Sequence, residues 1–121
     1  MTAPDDFDKI LPPSITEKAT RWVNEWVLPM AEAILAIRLA SVHEIAVLGV
    51  EAFEILDDAL RVENFSGWEF EDHQDWSAFV RRNNEAALSF IEANPGGPSR
   101  GYILTTVSEE ESKNLRSHSK S

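Results

Sequence analysis

Residues 30–62 read "MAEAILAIRLASVHEIAVLGVEAFEILDDALRV", and this stretch decides which fold the sequence predicts. It contains no proline and a single glycine, Gly49. Its apolar residues would surround a helix almost completely, as in a helix at the centre of a bundle or at an interface. Ser41 and Glu44 form a helix-start pattern, so one long helix and two helices that break near Ala40 are equally compatible. We predict helix throughout and expect Gly49 to admit a neighbouring helix at close range.

The same stretch is not expected to cross a membrane, because a spanning helix needs about 20 predominantly apolar residues. Charged residues interrupt it at Glu32, Arg38, Glu44, Glu51 and Glu54. The first ten residues, "MTAPDDFDKI", lack the basic region and apolar run of a secretory signal. The chain has no cysteine, which excludes disulfides and thiolate chemistry and fits a reducing compartment. We therefore predict a cytoplasmic protein.

Two further segments have helical patterns. "PPSITEKATRWVNEWVLP" begins with a capping box between Ser14 and Glu17 and ends at Pro29. "DWSAFVRRNNEAALSFIEANPGGP" has apolar residues at helical spacing from Trp76 onwards and stops at its proline–glycine run. Asp72 is the predicted N-cap of this helix. The predicted fold class is therefore all-α, a small bundle of three to four helices.

The predicted domain organisation has three parts. Residues 1–13 form an N-terminal arm, residues 14–98 the helical domain, and residues 99–121 an extended or flexible C-terminal segment. Within the last part, "GYILTTV" has strand composition, but an all-α bundle offers no sheet for it to join. The final residues are polar and low in complexity, which is typical of a mobile tail.

The formal net charge is -10. An acidic surface repels phosphate backbones and anionic lipid, so we expect neither direct nucleic-acid binding nor membrane binding. A basic protein, or a multisubunit assembly with basic surfaces, is the better partner. The broad apolar surface of residues 30–62 also allows a homo-oligomer.

The connection between the predicted helices, "ENFSGWEFEDHQ", carries aromatic and acidic residues where bundles usually place polar ones. In an extended chain, Trp68 and Phe70 would face one side while Glu69 and Glu71 face the other. Tryptophan is enriched at binding hot spots, so these four residues are the predicted partner-binding site. The alternative is that Trp68 and Phe70 fold back to close the end of the bundle.

Metal and catalytic patterns are weak. A carboxylate row at helical spacing, Glu44, Glu51, Glu54 and Asp58, could hold a hard cation such as Mg²⁺ or Ca²⁺, although a solvated helix face is the better explanation. Asp72, His73 and Asp75, with His43, form a second weak cluster. No Glu-x-x-His pair of the di-iron kind occurs. We predict no cofactor, no metal site and no catalytic residue.

These observations favour a non-enzymatic, acidic protein-interaction module. It would be a subunit or adaptor of a larger assembly, phage and mobile-element particles included. One alternative is an antitoxin, immunity protein or DNA mimic that binds a basic protein. A second alternative is a metal-binding enzyme domain that uses the carboxylate row.

Overall fold

The computed structural model describes residues 6–68 and 75–113 and shows a mixed α/β fold. The elements in chain order are α1 Asp6–Ile10, α2 Pro13–Thr16, β1 Thr20–Trp22, β2 Glu25–Val27, α3 Met30–Val42, β3 Ile45–Ile55, β4 Leu60–Gly67, α4 Trp76–Ala93 and β5 Arg100–Ser108. The prediction of an all-α bundle is therefore wrong. Of these described helices, none is both long and apolar enough to cross a bilayer.

The main sheet has three strands in the order β4–β3–β5, and both pairings are antiparallel. Strands β1 and β2 form a separate antiparallel hairpin. Helices α3 and α4 pack against β3 and against each other, which creates the largest core cluster. A smaller cluster joins Val27 of the hairpin to Phe53 and Ile103 of the sheet.

Strand β3 replaces the second half of the predicted long helix. Residues 45–50, "IAVLGV", form a continuous apolar run, and five of the six are buried. Such a run fits a strand covered on both faces as well as a buried helix, so its periodicity alone does not distinguish the two. The β-branched residues Ile45, Val47 and Val50 favour the strand. The strand forms because β4 and β5 both pair with it.

Gly49 does allow a close approach, but by a strand and not by a helix. It lies opposite Gly67 of β4, and a Cβ at Gly49 would be 3.0 Å from the Ser66 carbonyl oxygen. It also borders an irregularity in the β3–β5 pairing, between Val47 and Gly49. A glycine within a strand commonly marks such a bulge.

The chain reverses at Glu44, and no second helix starts at Ser41. Ser41 lies in the last turn of α3, where its hydroxyl donates to the Ile37 carbonyl oxygen at 3.2 Å. Glu44 has a φ of 58°, the left-handed conformation that often ends a helix. This conformation is uncommon outside glycine, and a hydrogen bond of 2.6 Å from the Trp76 indole nitrogen to the Glu44 carbonyl oxygen helps hold it.

The predicted helix from Ser14 to Pro29 is also wrong. Helix α2 ends at Thr16, and the capping position, Pro12, makes no side-chain hydrogen bond. The following residues form the β1–β2 hairpin, in which the Arg21 guanidinium lies 4.6 Å from the centre of the Trp26 ring. β-branched and aromatic residues dominate "TRWVNEWV" and favour strands over a helix.

Helix α4 matches the predicted last helix. Its buried face includes Trp76, Phe79, Val80, Asn83, Asn84, Ala87 and Ile91. The N-cap is Asp75, whose carboxylate accepts from the Ala78 amide at 3.1 Å. The predicted cap, Asp72, lies outside the described residues.

Strand β5 occupies the first part of the predicted C-terminal segment and pairs along nearly the full length of β3, from Ile45 to Glu54. Tyr102 is fully buried in β5, and its hydroxyl donates to the Asn94 carbonyl oxygen at 2.6 Å. Burial raises the pKa of this phenol. The other edge of β5 contacts Leu28 through two backbone hydrogen bonds of 2.8 Å. "GYILTTV", which has strand composition, therefore forms a strand of the main sheet.

Candidate functional site

A groove of about 270 Å³ lies between α2 and the outer face of α3. It is lined by Pro12, Ser14, Ile15, Leu35, Arg38, Leu39 and Val42. Leu35 is 48% exposed and Val42 is 76% exposed, which is unusual for large apolar side chains on a helix of a compact domain. Concave surfaces with exposed apolar walls are typical of binding sites, so this groove is the candidate functional site.

Residues 6–16, which contain α1 and α2 and are called the arm below, supply one wall of the groove because they are anchored on the rest of the protein. Phe7 of α1 is 5% exposed and joins the main core, as does Ile15 of α2. The Asp6 carboxylate accepts a hydrogen bond of 2.6 Å from the Ser108 hydroxyl at the end of β5. α1 therefore fixes α2 against α3, and the groove depends on both anchors.

The Asp6 anchor makes the arm sensitive to acid. The hydrogen bond from Ser108, and then Lys9 at 3.3 Å, lower the pKa of Asp6 from its ordinary value. A lowered folded-state pKa stabilises the arm above the ordinary aspartate pKa of about 4, and this stabilisation is lost as the pH falls through the folded value. We therefore expect α1 to stay docked down to a lower pH than it would if Asp6 had the ordinary aspartate pKa. An NMR titration of Asp6 measures this.

The control for this prediction is Ser108→Ala, which removes the main cause of the shift. In that variant we expect the Asp6 pKa to return towards the ordinary value, and the docking of α1 to become weaker at neutral pH and less dependent on pH. An unchanged Asp6 titration would contradict the assignment.

A second apolar surface lies on β4, at the free edge of the sheet. Phe65 is 71% exposed and Val62 is 53% exposed. This edge carries the Arg61–Glu63 ion pair, 2.9 Å long, and an irregular register opposite Ala52 and Phe53. Edge charges and bulges protect strand edges from pairing with other chains, so β4 is the weaker candidate.

The four residues of the predicted epitope are only partly within the described chain. Trp68 is half-buried against the main core, and its indole nitrogen donates to the Val47 carbonyl oxygen at 2.9 Å. Glu69, Phe70 and Glu71 lie outside the described residues. Their role in partner binding stays a prediction.

The carboxylate row does not lie on a helix, so the helical spacing that suggested it does not apply. Glu51 and Glu54 are on β3, Glu44 precedes that strand, and Asp58 lies in the β3–β4 turn. At about 3.3 Å per strand residue, Glu44 and Glu51 are separated by roughly 20 Å. Within residues 6–68 and 75–113, no three histidine, aspartate or glutamate side chains are placed to hold a metal ion. In the second cluster, Asp72 and His73 lie outside the described residues.

No protein-family model, curated protein or solved structure matches this chain.

The groove residues could have been found from the sequence by their spacing. Leu35, Leu39 and Val42 follow the i, i+4, i+7 pattern of one helix face, with Arg38 beside them. A second stripe, which includes Ala33, Ala36, Ile37 and Ala40, is buried. Spacing shows two apolar faces, but only the packing of α3 on the sheet decides which of them remains open.

Proposed function

We propose that this protein is a non-enzymatic interaction module that binds a segment of another protein in the α2–α3 groove. The observation that carries the proposal is the exposure of Leu35 and Val42 along the wall of that groove. Burial of apolar surface contributes about 25 cal/mol per Å², so covering these two side chains favours association.

The lining of the groove supports a binding role because it combines buried and exposed apolar side chains. Its floor contains Ile15, which is buried in the core, and Leu39, which is half-buried. The same lining includes Leu35 and Val42, which are 48% and 76% exposed. A rigid floor with an exposed apolar rim resembles the pockets in which interface hot spots insert.

The role as a subunit or adaptor of a larger assembly fits this site. A single groove of this size buries too little area for a tight complex alone, since stable interfaces bury about 1,200–2,000 Å². The acidic body provides a second contribution through its net charge of -10, which would steer a partner with basic surfaces elsewhere.

Site-specific photo-crosslinking in the native cells tests the proposal. A photoreactive residue replaces Val42 in one variant and Phe65 in a matched control, because both positions are exposed and apolar but lie on different surfaces. We expect a discrete adduct with another protein from position 42 and none from position 65. We also expect Leu35→Asp, combined with the probe at position 42, to abolish the adduct.

Either of two results would contradict the proposal. One is an adduct that forms from position 65 but not from position 42. The other is an adduct from position 42 whose yield is unchanged by Leu35→Asp.

A further inference from the structure

The groove carries one positive charge in an acidic protein. Among the described residues that line it, Arg38 alone is charged, and its side chain is exposed. Three other cations, Lys9, Arg21 and Arg61, lie within 4 Å of carboxylates of their own chain. In the part of the chain that the structure describes, Arg38 has no such partner, and the same is true of Lys18, Arg81, Arg100 and Lys113. Arg38 differs from these four because it lines the groove. A bound segment with a carboxylate would supply one.

The shape of the groove favours a helical segment. Leu35 and Val42 are seven residues apart on α3, which corresponds to about 10 Å along the helix axis. Two turns of a partner helix cover that length with residues at the same i, i+4, i+7 spacing. Both walls of the groove are helical, and none of the described residues that line it belongs to a strand. An extended peptide would therefore find no backbone groups to pair with.

We propose that the α2–α3 groove binds an amphipathic helix of a partner protein whose contact face is apolar and carries a carboxylate opposite Arg38. This rests on the proposed function and specifies the chemistry of the partner at this site. The apolar residues of that helix contact Leu35, Leu39 and Val42. The carboxylate lies beside the guanidinium at the rim, where it selects the orientation of the helix.

A second copy of this chain fits the groove less well. An antiparallel contact between two α3 helices, centred on this stripe, brings the two Arg38 side chains within about one helical turn of each other. Two bodies of net charge -10 also repel each other. A basic helix is disfavoured for the same local reason, because it would place a cation against Arg38.

A phage-displayed library of helical peptides, selected on the full-length protein, tests this inference. The library varies the residues on one face of a helical host peptide, including apolar and charged residues of both signs. We expect enrichment of peptides with apolar residues at i, i+4 and i+7 and with Asp or Glu beside them. The tightest peptide is then synthesised, and its dissociation constant is measured by fluorescence anisotropy.

Two pairs of matched variants locate the binding site. We expect Val42→Asp to weaken binding by about 30-fold or more, as for a hot-spot residue, whereas Val62→Asp on β4 leaves it unchanged. We expect Arg38→Glu to weaken the acidic peptide by roughly tenfold and to shift a repeated selection towards Lys or Arg, because the charge opposite is reversed. Arg81→Glu, which makes the same charge change on α4, should do neither. Thermal unfolding of each variant confirms that it is folded.

Several results would overturn the inference. They are no enrichment of helical peptides, enriched peptides that are basic, and binding insensitive to Val42→Asp. Sedimentation velocity that shows a dimer abolished by Val42→Asp would assign the groove to a second copy instead. If the crosslinked partner segment at position 42 is not an acidic amphipathic helix, this inference fails while the proposed function stands. If acidic helical peptides bind but position 42 yields no adduct in cells, the proposed function fails and the binding chemistry stands.

Discussion

Replacing Asn84 with leucine is expected to destabilise the protein by about 3–5 kcal/mol, because it leaves buried backbone groups of β3 without partners. Strand β4 pairs with residues 49–55 of β3, so the first part of that edge has no neighbouring strand. Asn84 of α4 takes its place. Its side-chain oxygen accepts from the Val47 amide at 2.8 Å, and its side-chain nitrogen donates to the Ile45 carbonyl oxygen at 3.1 Å.

The same amide nitrogen donates to the Ser41 hydroxyl at 2.8 Å, which ties the end of α3 to α4. Leucine has a similar volume but can make none of these hydrogen bonds. The orphaned Val47 amide and Ile45 carbonyl group then carry the desolvation cost, at about 1–3 kcal/mol each. Chemical unfolding measures the loss, and we expect the midpoint temperature of thermal unfolding to fall by roughly 10–20 °C.

Asn83 provides the matched control, since it is the adjacent asparagine and is fully buried. Its side-chain nitrogen donates only to the Phe79 carbonyl oxygen within α4, and its side-chain oxygen has no partner among the described residues. Removing an unpaired buried acceptor costs little, so we expect Asn83→Leu to lie within about 1 kcal/mol of the wild type. Equal losses in both variants would show that Asn84 does not act through β3.

The second large effect is expected at Phe7, where substitution by alanine should release the N-terminal arm and dismantle the groove. A buried Phe→Ala change costs about 3–5 kcal/mol. Here we expect much of that loss to fall on the docking of α1 and α2, because the arm contacts the body through few anchors. Hydrogen exchange should show amide protection in residues 6–16 reduced by about 100-fold or more, which corresponds to roughly 3 kcal/mol. The amides of β3 should remain protected.

Phe65→Ala is the control for this change, because it removes the same side chain from a position that is 71% exposed. We expect it to leave both the arm and the sheet unchanged. In the crosslinking experiment, Phe7→Ala should also abolish the adduct from position 42. If hydrogen exchange in β3 accelerated as much as in the arm, the prediction would be wrong. Helices α1 and α2 would then unfold together with the whole protein and not as a separate unit.

The sequence predicted helix α4 and the first part of the central stretch, and it failed at β3. Helix α4 has one apolar face, so its spacing alone identifies it. Strand β3 is apolar on both faces. Helices α3 and α4 cover one face, and the β1–β2 hairpin covers part of the other. A continuous apolar run has neither the helical nor the strand periodicity, so its spacing does not distinguish a helix from a strand. Its assignment needs β5, whose residues lie about fifty positions further along the chain.

The candidate site shows the same division. Leu35, Leu39 and Val42 are recognisable as a helix face from their spacing, and Arg38 as the cation beside them. That this face is a groove depends on α2, which Phe7, Ile15 and the Asp6–Ser108 hydrogen bond hold in place. These contacts join residues that are separated by up to a hundred positions, and no local pattern encodes them.

One motif shows what the sequence determined by itself and what the tertiary structure decided. The pattern Ser-x-x-Glu occurs five times, at Ser14, Ser41, Ser66, Ser89 and Ser108. Among the copies whose serine and glutamate are both described, a capping box forms only at Ser108. There the Glu111 carboxylate accepts from the Ser108 amide at 2.7 Å, and the Ser108 hydroxyl accepts from the Glu111 amide at 3.1 Å. Ser89 lies in the interior of α4.

At Ser41 the chain is leaving a helix, and after Ser14 it turns into a hairpin. Composition and spacing by themselves determined an acidic, cysteine-free chain and the amphipathic helix α4. The tertiary structure decided the rest, because each copy of the motif satisfies its backbone groups with whatever partner long-range packing brings to it.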